Sequence, residues 1–161
     1  MLNKLIVLAA ASLLPAIAGA GDFEALIGNW VSPDGFARQS FSRTFDGSLI
    51  ETRMWFRSGS GWRLVAAGST YRRPEDKAWR SVSRTRDMDD IELFESTIVQ
   101  TSMTIYRVAN VAYKSDGTVI ETDEEWVFLG NDHIKYTVFR FEEGSRVAWM
   151  RGEWIREKEQ S

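Results

Sequence analysis

Residues 49–57 read LIETRMWFR, and the character of their side chains changes with a period of two. One alternate set is uncharged and consists of Ile50, Thr52, Met54 and Phe56. The set between them holds the charged residues and consists of Glu51, Arg53, Trp55 and Arg57. Successive side chains of a β-strand point to opposite sides of the sheet. The stretch therefore predicts a strand with one face toward an interior and the other toward water.

Similar strand-like runs fill the chain beyond residue 36, and short segments rich in Gly, Pro, Asp and Asn separate them. These turn signals lie near residues 33–35, 46–47, 58–61, 74–76, 87–90, 115–117, 130–132 and 142–144. The runs between them predict strands near 37–45, 48–57, 62–73, 77–86, 90–99, 102–114, 118–129, 133–142 and 145–156.

The short connections predict antiparallel pairing, because a parallel pair needs a crossover of about a dozen residues. A long antiparallel meander exposes two edges unless it closes on itself. We therefore expect an all-β fold, an antiparallel up-and-down β-barrel of about eight to ten strands. A barrel of this size is filled by side chains or holds one small ligand. An open two-sheet sandwich is the alternative architecture.

Residues 78–86, AWRSVSRTR, bear on whether that barrel is hollow. One face of this predicted strand carries Val82 and three arginines, whereas the other carries Trp79, Ser81, Ser83 and Thr85. If the face with the hydroxyl groups points inward, the interior is partly polar at this level. A cavity is then favoured over a core filled with apolar side chains.

The first 20 residues have the three-part pattern of a secretory signal peptide. Lys4 supplies the positive charge, residues 5–18 form the apolar run, and Ala18-Gly19-Ala20 is a small-residue cleavage site. We expect residues 1–20 to be removed, leaving residues 21–161 as one barrel domain with no membrane span. The chain has no cysteine. Because many secreted eukaryotic domains rely on disulfides, this favours a bacterial periplasmic or secreted location.

Residues 23–35, FEALIGNWVSPDG, precede the first predicted strand. Phe23, Leu26 and Ile27 have the spacing of one helical turn, so we expect a short N-terminal helical plug across one end of the barrel. Gly28 would allow a close change of direction, and Trp30 would cover apolar area at that end. The alternative is that Trp30 is an ordinary core residue. An arginine of the last strand could stack on Trp30 and donate to carbonyl groups of the plug.

Gly28-Asn29-Trp30 matches the G-x-W motif of the lipocalin-like (calycin) superfamily, and an arginine near the end of the last strand completes the pattern. We expect that arginine to be Arg156, with Arg151 as the second choice. The chain resembles this superfamily, most of all its uncharacterised secreted bacterial members. The resemblance implies a barrel that holds a small apolar or amphipathic molecule. Some members of the superfamily are enzymes and some bind haem.

The charge balance argues against nucleic acid as a partner. The chain has 20 basic and 23 acidic side chains and a net charge of −3. Removal of Lys4 with the signal peptide leaves 20 − 1 = 19 basic side chains and a net charge of −4. A nucleic-acid-binding domain normally carries a strong basic patch instead. We expect a small-molecule partner, and no oligomeric state is predicted.

Catalytic and metal-binding patterns are sparse in this sequence. There is no P-loop, no dinucleotide fingerprint and no serine in a nucleophile motif. His133 is the single histidine and lies next to a turn. Because a metal site needs several ligands, no metal site and no cofactor are expected. One axial histidine can hold haem, so haem at His133 is an alternative that we do not favour.

The candidate ligand-binding residues are aromatic or charged residues that could line a pocket of mixed polarity. They are Tyr71, Tyr106, Arg107, Glu124 and Tyr136. Alternation puts Glu124 on the same face as Trp126. A carboxylate buried there beside Arg107 or Arg140 would have a perturbed pKa and could act as a general base, although a structural ion pair is the simpler interpretation.

Three functions follow from these observations. The first is a secreted or periplasmic barrel that binds a small apolar or amphipathic ligand without catalysis. The second is a lyase, isomerase or hydrolase that uses a buried carboxylate with a tyrosine or arginine. The third is a structural or interaction module with a filled core. The polarity and packing of the barrel interior distinguish them.

Overall fold

A computed structural model describes residues 26–44, 49–72, 75, 78–86 and 88–158. In order along the chain, ten strands run over Gly28–Val31 (β1), Ala37–Thr44 (β2), Leu49–Ser58 (β3), Gly61–Arg72 (β4), Trp79–Thr85 (β5), Ile91–Gln100 (β6), Ile105–Lys114 (β7), Val119–Phe128 (β8), His133–Glu142 (β9) and Ser145–Arg156 (β10). Within these ranges no helix is long and apolar enough to cross a membrane. The signal peptide expected over residues 1–20 lies outside the described residues.

The strands form one closed antiparallel barrel in which each strand pairs with its neighbours in sequence. The meander and its closure are confirmed, and the open sandwich is excluded. The nine expected strands appear as β2–β10, with ends shifted by up to three residues. β1 was not predicted as a separate strand. It lies between β2 and β10, so the segment that contains Trp30 closes the barrel.

The expected N-terminal helical plug is wrong. Leu26 lies in a turn, Ile27 has no regular structure, and β1 already begins at Gly28, so the described residues contain no helix there. Phe23, the first residue of the expected helical turn, lies outside the described residues. The indole nitrogen of Trp30 donates a 2.9 Å hydrogen bond to the carbonyl oxygen of Leu26. Leu26 therefore lies in a turn that holds its carbonyl oxygen against the Trp30 indole.

Trp30, Leu26 and Arg156 close one end of the barrel. Trp30 and Leu26 are fully buried, and the guanidinium carbon of Arg156 lies 4.3 Å from the Trp30 ring centroid. Nη1 of Arg156 donates to the carbonyl oxygen of Ile27 at 2.6 Å, and Nε donates to that of Asn131 at 3.0 Å. Gly28 has φ of 131°, and a Cβ atom there would lie 2.9 Å from Nη1 of Arg156. A glycine is therefore needed where the arginine crosses the chain.

Alternation along the strands distributes the interior side chains as expected. Ile50, Thr52, Met54 and Phe56 of β3 are all buried. Ser81 and Ser83 of β5 are also buried, so their hydroxyl groups lie on the inner side of the wall. The interior is therefore partly polar. An apolar cluster that includes Trp30, Met54, Ile98, Trp126, Ile134 and Trp154 nevertheless packs against the closed end.

Candidate functional site

A cleft opens in the barrel wall beside β10 because β1 is short. β1 pairs with β10 at two positions only, Trp30 with Arg156 and Val31 with Ile155. In the described part of the chain, residues 145–154 therefore have no strand partner on that edge. The connection from β1 to β2 lies opposite this edge across a cleft of about 590 Å³. This volume is within the usual range of small-molecule sites, about 300–1,000 Å³.

The residues that line the cleft come from the β1–β2 connection on one side and from β9 and β10 on the other. Ser32, Asp34, Phe36 and Ala37 line it on the side of the β1–β2 connection. Tyr136 and Trp154 contribute aromatic surface, and Lys135, Arg151 and Glu153 contribute charged groups. Because β1 does not extend along this part of β10, side chains of both the inner and the outer face of the barrel line the cleft. We call this cleft in the side of the barrel the window.

Tyr136 and Trp154 form the aromatic part of the window. Their ring centroids are 6.3 Å apart, and the planes are inclined by only 25°. The buried indole nitrogen of Trp154 has no hydrogen-bond partner within the described residues. Burial and the carboxyl groups of Glu124 and Asp34 raise the pKa of Tyr136 to about 12, so its phenol stays protonated at neutral pH. The aromatic side chains beside the window thus carry two hydrogen-bond donors, the Tyr136 hydroxyl and the buried Trp154 indole N–H.

Gly152 allows Tyr136 to take this position. The two residues are opposite each other on β9 and β10, and the phenol of Tyr136 lies over the Cα atom of Gly152. A methyl group at residue 152 would overlap the phenol oxygen. Gly152 is therefore the place where the tyrosine side chain crosses the backbone of β10.

Substitution of Gly152 by alanine is expected to displace Tyr136 and to lower the free energy of unfolding by about 1–3 kcal/mol, the usual cost of overpacking. Gly61→Ala is the matched control, because no atom lies within 4 Å of a Cβ atom at that strand position. It should change stability by less than about 0.5 kcal/mol. Urea unfolding of both variants measures the difference, and equal stabilities would contradict this account of the window.

Glu124 lies deeper inside, at the end of a chain of polar side chains. Ser96 Oγ donates to Asn110 Oδ1 at 2.6 Å, and Asn110 Nδ2 donates to one oxygen of Glu124. Trp126 Nε1 donates to the other oxygen at 2.8 Å. Glu124 is fully buried, and burial raises the pKa of its carboxyl to about 8 despite these two hydrogen bonds. Within the described residues no lysine or arginine forms an ion pair with it.

The polar chain continues around the inner wall. The strand register places Thr70 opposite Ser81, Ser81 opposite Ser96, and Ser96 opposite Asn110. These four residues are buried and lie on the four consecutive strands β4–β7. Thr70 Oγ1 also donates to Ser81 Oγ at 3.0 Å. A band of hydroxyl and amide groups therefore leads along one level of the barrel toward Glu124.

The structure brings some of the sequence-derived candidates together and separates others. Tyr106, Glu124 and Tyr136 belong to the inner face, with Tyr106 packed edge-on against Phe128 at 5.5 Å. Tyr71 and Arg107 lie on the outer face, on strands whose alternate residues Thr70 and Val108 are buried. Which side chains of a strand point into the barrel depends on the register of that strand. The sequence did not determine this for β4 and β7.

The arginines expected near Glu124 lie elsewhere. Arg107 is exposed on the outer face, and Arg140 forms an ion pair with Glu142. The interpretation of Glu124 as part of a structural ion pair therefore does not hold, because its partners are Asn110 and Trp126. Alternation through Tyr106 and Val108 puts Asn110 on the inner face of β7. This pattern could have identified Asn110 from the sequence as an interior polar residue.

Arg151 and His133 lie on the outer side of the wall. Arg151 is exposed at the rim of the window, away from Trp30, and Arg156 is the arginine that covers the Trp30 ring. His133 Nε2 lies 2.8 Å from a carboxylate oxygen of Glu153. No group of three or more potential metal ligands occurs among the residues that the structure describes.

The ten-stranded closed antiparallel barrel is consistent with a calycin-like fold. The chain matches no protein-family model, and no curated protein is significantly similar to it in sequence. The function is therefore inferred from the fold and from the geometry of the site.

Proposed function

We propose that this chain is a lipocalin-like barrel of the periplasm or the secreted fraction that binds one small amphipathic molecule without catalysis. The observation that supports it most is the window of about 590 Å³ beside β10. The signal-peptide pattern of residues 1–20 supports the location, and the motif at Gly28–Trp30 supports the assignment to the superfamily.

The composition of the window favours an amphipathic ligand over a purely apolar one. Phe36, Ala37 and the rings of Tyr136 and Trp154 offer apolar surface. The Trp154 indole N–H has no partner within the described residues, and charged groups surround the rim. Ligand sites typically combine an apolar lining with a few placed polar groups that fix the orientation.

Glu124 and Tyr136 are the residues that an enzyme would use, but their arrangement favours binding. Glu124 is fully buried and does not line the window. A general base must reach the proton it removes, directly or through one water. In this structure the carboxyl is separated from the window, so a substrate there has no contact with it.

The uncharged amphipathic dye N-phenyl-1-naphthylamine, whose fluorescence rises in apolar surroundings, provides the test. We expect it to bind the purified mature chain with one site, and Thr137→Trp, which places a large side chain in the window, to weaken binding at least about tenfold, or 1.4 kcal/mol. Val111→Trp is the matched control, because Val111 is also β-branched, half-buried and on the outer face, but on β7.

The dye should bind Val111→Trp as it binds the unchanged protein. Absence of binding to the unchanged protein would contradict the proposal and favour an interaction module with a filled core. Equal weakening by both tryptophans would place the site outside the window.

A further inference from the structure

We propose that the ligand of the window carries a positively charged nitrogen, which lies against the Tyr136–Trp154 pair beside the carboxyl group of Asp34. The inference rests on the proposed function and names the chemical class of its ligand. It combines ring geometry, the placement of Asp34 and the pairing of the other charged groups.

The aromatic pair provides a surface that attracts cations. The two rings are nearly parallel and 6.3 Å apart, and both line the window. The face of an aromatic ring attracts an organic cation within about 6 Å, by about 0.5–2 kcal/mol depending on desolvation. Because Trp154 is buried and Tyr136 is half-buried, a cation against this pair would be partly shielded from water.

Asp34 provides a negative charge whose field reaches Tyr136. It lines the same window, and its Oδ1 accepts hydrogen bonds from the Ser32 hydroxyl and from the Phe36 N–H, the latter at 3.0 Å. These hydrogen bonds lower the pKa of Asp34, so the group remains ionised at neutral pH. No lysine or arginine of the described residues forms an ion pair with it, and it is therefore open to a cationic ligand.

The other charged residues of the window are arranged differently. Lys135 and Glu153 form an ion pair at 3.6 Å, and the second carboxylate oxygen of Glu153 contacts His133. Arg151 remains as an exposed cation at the rim. An anionic ligand would use Arg151, whereas a cation would lie against the aromatic pair beside Asp34, so the charge preference of the ligand distinguishes the two arrangements.

Three amphiphiles with the same ten-carbon chain provide the test, each used to displace N-phenyl-1-naphthylamine from the mature protein. They are decyltrimethylammonium, decan-1-ol and decanoate. We expect decyltrimethylammonium to displace the dye at a concentration about tenfold lower than decan-1-ol, the ratio expected for one shielded cation–aromatic contact.

Asp34→Asn should remove much of this preference and leave displacement by decan-1-ol unchanged. Asp116→Asn is the matched control, because Asp116 also caps a turn, accepting from the Thr118 N–H at 2.8 Å, but in the β7–β8 connection. It should keep the full preference.

A preference for decanoate, or equal displacement by all three compounds, would overturn the inference while the bound dye still supports the proposed function. A cation preference that persists unchanged in Asp34→Asn would overturn it too. If the dye does not bind the unchanged protein, the proposed function fails and the inference fails with it.

Discussion

Replacement of Trp30 by alanine is expected to lower the free energy of unfolding by about 3–5 kcal/mol, the range for a large aromatic side chain removed from a core. Trp30 is fully buried, donates to the carbonyl oxygen of Leu26 and lies under the Arg156 guanidinium. The substitution leaves a cavity at the closed end and an unpaired carbonyl group. Such a loss is a large part of the stability of a typical domain, about 5–15 kcal/mol.

Urea unfolding followed by circular dichroism measures this effect. Trp30→Phe retains a ring but loses the hydrogen bond to Leu26, and it should cost about 1–3 kcal/mol. Trp62→Ala is the control, because Trp62 is 40% exposed on the outer face of β4, and its cost should be about 1 kcal/mol or less. Similar losses for Trp30→Ala and Trp62→Ala would contradict the role assigned to the closed end.

Glu124 is expected to make the protein less stable as the pH rises from about 5 to 8. Burial raises the pKa of this carboxyl from 4.5 to about 8, so between these values the folded state holds one proton more than the unfolded state. Stability therefore falls with increasing pH by up to about 1.4 kcal/mol per pH unit. The stabilisation that protonated Glu124 allows is complete below pH 4.5 and is lost above about pH 8. Over this range the free energy of unfolding falls by several kcal/mol in total.

Glu124→Gln should remove most of this pH dependence and should be more stable than the unchanged protein at pH 8.5. The free energy of unfolding at pH 5, 7 and 8.5 tests it. The carboxyls of Asp34 and Glu153 have lowered pKa values and contribute with the opposite sign, but at pH values below the usual range of a carboxyl. Equal pH slopes for the variant and the unchanged protein above pH 5 would show that Glu124 is ionised throughout.

The sequence predicted the barrel well because its strands have an amphipathic pattern with clear turns. Residues 49–57 show this, since their alternation matches the buried and exposed positions of β3. β1 was missed because four residues are too few to show a period of two. The helical plug was predicted from the spacing of Phe23, Leu26 and Ile27. The prediction was wrong because this spacing is compatible with a non-helical turn as well as with a helix.

The candidate site was less predictable because it depends on strand register and on the part of β10 that β1 is too short to pair with. Glu124 and Tyr136 were named from the sequence, but Trp154 and Asp34 line the window together with Tyr136 only because β1 ends at Val31. Tyr71 and Arg107 lie on the outer face, and one residue of register decides that side. Gly152 gave no sequence signal, because its role depends on the Tyr136 phenol crossing from β9.

The central claim, that a small molecule binds in the window beside β10, is tested most directly by the amide and indole ¹H–¹⁵N spectrum of the mature protein during titration with N-phenyl-1-naphthylamine. We predict that the largest shifts belong to the Trp154 indole N–H and to the amides of Asp34, Tyr136 and Gly152. Shifts confined to the closed end around Trp30 or to the outer face around Trp62, or no shifts at all, would contradict the account.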